Sequence, residues 1–234
     1  MSIEFTRRYP SAKVSVNDLD PTVVNFWILL RDNPDDLVEA ILQRKSQVNI
    51  RETFENCRTN LSMPLRADDY QTSLQYAADF FTVNKCGFSG LMTAGFSQLA
   101  SEQNFSHKNI SKLKSYSEHI ANWNISCLPC AEFLESLDFD KDSTLVYCDP
   151  PYAKVGKDGK SLVYRNHAAF DHVHFRESLP DASCLISYDN NEVIREMYSG
   201  WSSAVFDLSY TMHSGKVYRE EQKARKELLL WNYE

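Results

Sequence analysis

Apolar and polar positions alternate over Ala12–Val16, which predicts a short strand ended by the polar turn "NDLDP". The next stretch, "PTVVNFWILLRDNPDDLVEAILQRK", has helical spacing. It is interrupted at Asn33-Pro34, where the proline, lacking an N–H, starts a second helix. From Ser46 to Trp123 the pattern is helical and largely polar, with a Gly-containing loop expected at Cys86–Gly95. The texture changes after Asn124. "ISCL", "STLVYC" and "SCLISY" read as strands, and "PCAEFLESL" as a helix between the first two. "NNEVIREMYSG" reads as a helix closed by Gly200. "SSAVFDLSYTM" and "KELLLWNY" read as a closing hairpin. Strands alternating with helices predict an α/β fold with a mainly parallel sheet, interrupted by a helical insertion.

Composition narrows this only slightly. The chain has 234 residues, of which 43% are hydrophobic and 24% charged, which is ordinary for a globular domain. Its longest apolar runs are too short to span a bilayer, no charged-then-apolar leader opens it, and its 6 cysteines are dispersed. The expectation is a reduced, cytoplasmic protein with no membrane partner. A net charge of −7 mildly opposes nucleic-acid binding, but a local basic face suffices for it. Lys108, Lys112 and Lys114 lie together without an acid among them, and Arg7, Arg8 and Lys13 sit near the start. Solvated surface is the plainer reading of either patch.

The chemistry concentrates in "VYCDPPYA", directly behind an apolar strand. Ligands of open α/β sheets bind beyond the carboxyl ends of strands. Two prolines fix the backbone and remove two donors, leaving neighbouring carbonyls free as acceptors. Asp149 adds carboxylate oxygens and Tyr152 a flat ring. Acceptors plus a stacking face suit a planar ligand with an exocyclic amine, such as a nucleobase drawn out of a duplex. A plain strand-to-turn exit is the competing reading.

Cys127-Leu128-Pro129-Cys130 has CxxC spacing but no second pair follows, so no metal or redox site is expected there. Asp171, His172 and His174 are read as a helix start capped by Asp171, again without metal. Phe80, Phe81, Phe88 and Phe96 are read as core.

Taken in order, "LVYCDPPYA", "YRNHAAFDHVHF", "CLISYDNNEVIREMY" and "LSYTM...REEQKARKELLLWNY" resemble the Dam-type (D12 class) family of DNA adenine-N6 methyltransferases. "SVNDLDPTVVNFW", "AADFFTVNKCGFSGL" and "CAEFLESL" extend the likeness over most of the chain. The resemblance implies a Rossmann-like methyltransferase sheet formed by residues 1–45 and 124–234, with 46–123 as an inserted helical target-recognition domain. It implies S-adenosylmethionine as cofactor and double-stranded DNA as partner. Residue by residue, it gives Asp149, Pro150, Pro151 and Tyr152 the catalytic role. Asp18 falls at the ribose-binding acid, and Glu132 and Phe133 at the position contacting the cofactor's adenine, with Glu where Asp is more usual. Asn84 and Lys85 fall in the recognition segment, and Lys108 and Lys112 are added as DNA contacts.

Two departures qualify the likeness. The family carries a glycine-containing loop after its first strand, whereas no glycine here precedes Gly87 and "SIEF" aligns just beyond that loop. The expected sheet therefore lacks its first strand, through truncation, through supply of the missing wall by a second polypeptide, or through loss of cofactor binding. At "GLMTAGFSQ" the family's arginine near Thr93 is missing, so target specificity does not carry over. Three functions follow: an adenine methyltransferase, an inactive DNA-binding or regulatory relative, and a methyltransferase acting on cytosine or RNA. Asp149 favours adenine over the Ser and Asn of the other two classes.

Overall fold

The break expected at Asn33-Pro34 is present and shows how local chemistry sets the helices. Helix α1, Ser2–Arg8, is followed by strand β1, Ser15–Asn17, and then by α2, Pro21–Asp32. Asp20 caps α2 by accepting the Thr22 N–H at 2.8 Å, and Pro21 fills a first-turn position that needs no donor. Pro34 then opens α3, Pro34–Lys45, with Asp35 and Asp36 in its first turn and Arg44 and Lys45 in its last, as the helix dipole favours. The computed structural model describes residues 2–65, 69–141, 143–151, 170–207 and 226–234. These form two compact units, Met1–Pro129 and Cys130–Glu234.

The first unit continues with α4, Ile50–Leu61, capped by Asn49, and α5, Tyr70–Cys86, capped by Asp69. A single tight turn, Phe88–Gly90, follows. Ser89 and Gly90 are left-handed there, at φ 57° and 70°. A side chain on Gly87 would meet the Val83 carbonyl at 2.8 Å, so the chain leaves α5 through a position that only glycine fits. Helices α6, Gln98–Gln103, and α7, His107–Ile120, are capped by Ser97 and Ser106. Strand β2, Asn124–Ser126, returns to pair in parallel with β1, Val16 opposite Ile125. One apolar core runs through the unit, joining Phe26 and Leu30 of α2, Leu37 and Ile41 of α3, and the buried faces of α4, α5 and α7. Phe81 is buried, and Phe80 and Phe96 are packed at the edge of this core. Phe88 departs from expectation at 48% exposed, because the helical periodicity that would have buried it has already ended at Gly87.

The second unit is a mixed α/β layer. Its elements are α8 (Cys130–Glu135), β3 (Leu145–Cys148), α9 (His172–Glu177), β4 (Ser183–Asp189), α10 (Glu192–Met197), β5 (Ser202–Asp207) and β6 (Lys226–Trp231). The strand order is β3-β4-β6-β5. β3 and β4 are parallel, while β6 runs antiparallel to both β4 and β5, which pairs the two late strands as a hairpin would. Asp171 caps α9, as expected, by accepting the N–H groups of Val173 and His174. α10 ends at Met197 with Tyr198 as its cap, and Gly200 does not adopt the left-handed conformation that a closing glycine would need. The expected strand segment Leu208–Met212 lies outside the described residues.

Alternation along the sheet separates two faces. Ile186, Tyr188, Leu228 and Leu230 form the buried face, packed with Phe175 of α9 and Ile194 of α10. Tyr147, Ser187 and Leu229 belong to the opposite face, with Ser187 registered against Leu229. That second face reaches the end of β3 where the motif begins.

Candidate active site

Asp149 is the first residue beyond β3, and it is exposed. Pro150 behind it is buried and Pro151 half-buried, so the first proline is anchored while the carboxylate stands in the open. The parallel register, Cys148 opposite Ile186, brings the next residue of β4, Ser187, beside Asp149. The Ser187 hydroxyl donates to Asp149 Oδ1 at 2.9 Å. The same hydroxyl oxygen lies 3.0 Å from the Tyr147 hydroxyl. Asp149 Oδ2 has no bonded partner among the described residues. The arrangement is an oriented carboxylate with one oxygen engaged and one open. Tyr152, the fourth residue of the motif, lies outside the described residues.

Asp18 sits in the first unit, one residue beyond β1, and is exposed. Its backbone N–H reaches the Ser126 carbonyl at 3.3 Å, and its Oδ1 accepts the Asp20 N–H at 2.8 Å. Oδ2 is without a partner among the described residues. Asn17 steadies the neighbouring backbone by bonding both the carbonyl and the N–H of Leu128, at 2.9 and 3.0 Å. Beside Asp18 lies a pocket of about 260 Å³, with Val16, Trp27, Trp123 and Ile125 in its wall. An open carboxylate at the carboxyl end of a parallel strand, next to an apolar aromatic pocket, fits a ribose diol and its attached base.

The remaining expected residues are more dispersed. Glu132 and Phe133 lie on α8, the glutamate exposed and the phenylalanine half-buried. Asn84 and Lys85 close α5. Asn84 Nδ2 is engaged, donating to the Gly90 carbonyl at 2.9 Å, and so shapes the following turn. Lys85 is half-buried over the Phe81 ring, and this desolvation pulls its ammonium below the ordinary lysine value. Lys108 and Lys112 are exposed on the first turns of α7. Lys114 is paired with Asp35, and Arg7 and Arg8 both with Glu4, so three of the basic residues noticed in the sequence are partly neutralised.

Among the described residues no group of three or more His, Cys, Asp or Glu side chains is placed to hold a metal ion. Burial pushes the Cys148 thiol up to about 12, which disfavours the thiolate that a nucleophile needs. His172 is fully buried with Nδ1 3.0 Å from the Tyr188 hydroxyl. Sequence reasoning missed Ser187 and Tyr147. The signal was present in "CLISY", where a serine interrupts an apolar strand and so requires a bonding partner.

Comparison with known proteins places the chain among relatives. The Type II methyltransferase M1.LlaDCHI of Lactococcus lactis subsp. cremoris is 22% identical over 234 residues, covering 94% of this chain and 80% of that protein. The family model described as D12 class N6 adenine-specific DNA methyltransferase matches residues 1–214. By that match, which takes in both parallel strand pairs and the Asp149 motif, the chain belongs to the D12 class of N6 adenine-specific DNA methyltransferases.

Proposed function

We propose that this chain methylates the N6 amine of a specific adenine extruded from duplex DNA, with Asp149, Pro150, Pro151 and Tyr152 gripping the base. The observation that carries the reading is Asp149 itself, exposed at a strand end with one oxygen fixed by Ser187 and the other open. The amine nitrogen of adenine is a poor nucleophile because its lone pair is delocalised into the ring. Asp149 accepts one N–H of that amine and backbone carbonyls around the proline pair accept the other, so the lone pair is aimed away from the ring plane. The negative carboxylate also stabilises the positive charge that grows on nitrogen. Tyr152 stacks on the base and holds its plane.

S-adenosylmethionine, when bound, supplies an electrophilic methyl group. Asp18 would hold its ribose, and Glu132 and Phe133 its adenine. The helical stretch 46–123 is assigned DNA recognition, with Asn84 and Lys85 positioning the recognition turn and Lys108 and Lys112 meeting phosphates. The Type II methyltransferase relative supports a restriction-modification setting.

The test is product identity. The purified chain, alone and with host extract, is incubated with methyl-labelled S-adenosylmethionine and unmethylated duplex DNA, and the DNA is digested to nucleosides. Label in N6-methyladenine is expected. Label in N4-methylcytosine, or none in DNA under either condition, overturns the reading.

A further inference from the structure

We propose that Ser187, backed by Tyr147, is a positioning residue of the transfer site: it locks Asp149 Oδ1 so that Oδ2 alone faces the amine. This rests on the role proposed for Asp149. The hydroxyl of Ser187 has a single proton, and the 2.9 Å bond to Asp149 uses it. Its oxygen can then only accept from Tyr147 across their 3.0 Å separation. The direction of the chain is therefore fixed, from Tyr147 to Ser187 to Asp149. Burial, and secondarily the negative Asp149 and Glu227, push the Tyr147 phenol above its ordinary value, so it stays protonated and remains a donor.

Ser187 is 2% exposed, and its partner Asp149 is exposed. An exposed aspartate otherwise rotates freely about two side-chain bonds, and fixing it in advance lowers the cost of engaging the amine. Tyr147 donates into Ser187 and leaves the single serine proton to go on to Asp149, so the consequence of that bond falls on the carboxylate. Register enforces the geometry: Tyr147 lies on β3, Asp149 follows two residues on, just past its end, and the parallel pairing sets Ser187 of β4 beside them.

The experiment measures single-turnover methyl transfer and duplex affinity for the wild-type chain and for Ser187→Ala, Ser187→Thr, Tyr147→Phe, the Ser187→Ala/Tyr147→Phe double variant and Asp149→Ala, with urea midpoints as a control on folding. Ser187→Ala is expected to lower the transfer rate about tenfold with DNA affinity unchanged, and Ser187→Thr to restore it to within about threefold. Tyr147→Phe should cost less, and nothing further in the Ser187→Ala background, because it acts through Ser187. Full activity in Ser187→Ala beside a dead Asp149→Ala overturns this inference alone. So does a loss that Ser187→Thr does not recover, or additive losses in the double variant. Full activity in Asp149→Ala, or a wild-type chain that methylates no adenine, overturns the parent reading and this one with it.

Discussion

Asp79 and Asp149 are the same residue put to opposite uses. Asp79, on α5, is 3% exposed, and both its oxygens are engaged, by Arg44 Nε at 2.6 Å and Asn60 Nδ2 at 2.9 Å. Arg44 also bonds the Ala40 and Gln75 carbonyls, so one charged pair ties α3, α4 and α5 together inside an apolar unit. The pair borders a polar pocket of about 310 Å³, and because its charges are spent on each other it offers a ligand little. Asp149 stands at a strand end in solvent with one oxygen held and one open. A fully satisfied carboxylate is architecture, whereas an oriented but unfinished one is available for chemistry. The neighbours show the same division. Burial, and then Asp79, push the Cys57 thiol up to about 12, while what holds Asp149 is the hydroxyl of Ser187 with that of Tyr147 behind it.

The comparison breaks first at Asp79. Asp79→Ala leaves the half-buried Arg44 without its carboxylate partner and should cost the first unit about 3 kcal/mol. Replacing both, as Arg44→Met with Asp79→Leu, should recover most of that loss. Urea unfolding followed by tryptophan fluorescence checks both, and a loss under about 1 kcal/mol for Asp79→Ala would make the pair ornamental.

A titratable group in the second unit sharpens the contrast. Burial holds the His172 imidazole below its ordinary value of 6.5. The unfolded chain therefore takes up the proton first. Stability is full above about pH 6.5 and falls as pH drops below it, by up to about 1.4 kcal/mol per pH unit until the folded chain also binds the proton. Melting temperatures between pH 7.5 and 5.5 should decline in the wild-type chain and much less in His172→Asn. Parallel curves would contradict the assignment.

The smallest effect concerns a third use of a carboxylate. Asp20 caps α2 through Thr22, and Asp20→Ala should cost about 1 kcal/mol. Thermal unfolding measures this, and Asp20→Asn, which keeps the accepting oxygen, should lose only a fraction of it.

Much of this could be read along the chain, wherever the physics is local. Asn33-Pro34 marks a helix break because proline lacks a donor, Asp171 marks a helix start, and Asp149-Pro150-Pro151 announces an open carboxylate at a strand end. The rest depended on register or on partners distant in sequence. Ser187 means nothing until parallel pairing sets it beside Asp149, 38 residues earlier. Asp79 reads as one more polar helix position until Arg44 folds onto it, 35 residues away. Lys114 looked like part of a basic patch until Asp35 met it. Glu4 with Arg7 and Arg8 was local and could have been anticipated from helical spacing alone.

The most direct test of the central claim is methyl transfer to duplex DNA by Asp149→Ala, measured beside the wild-type chain with DNA affinity and urea midpoint on the same samples. Removing an open, exposed carboxylate should cut the transfer rate by about a hundredfold to a thousandfold and leave affinity and stability almost unchanged. A loss explained by unfolding would place Asp149 with Asp79 as architecture, and transfer at the wild-type rate would leave it no role; either contradicts the account.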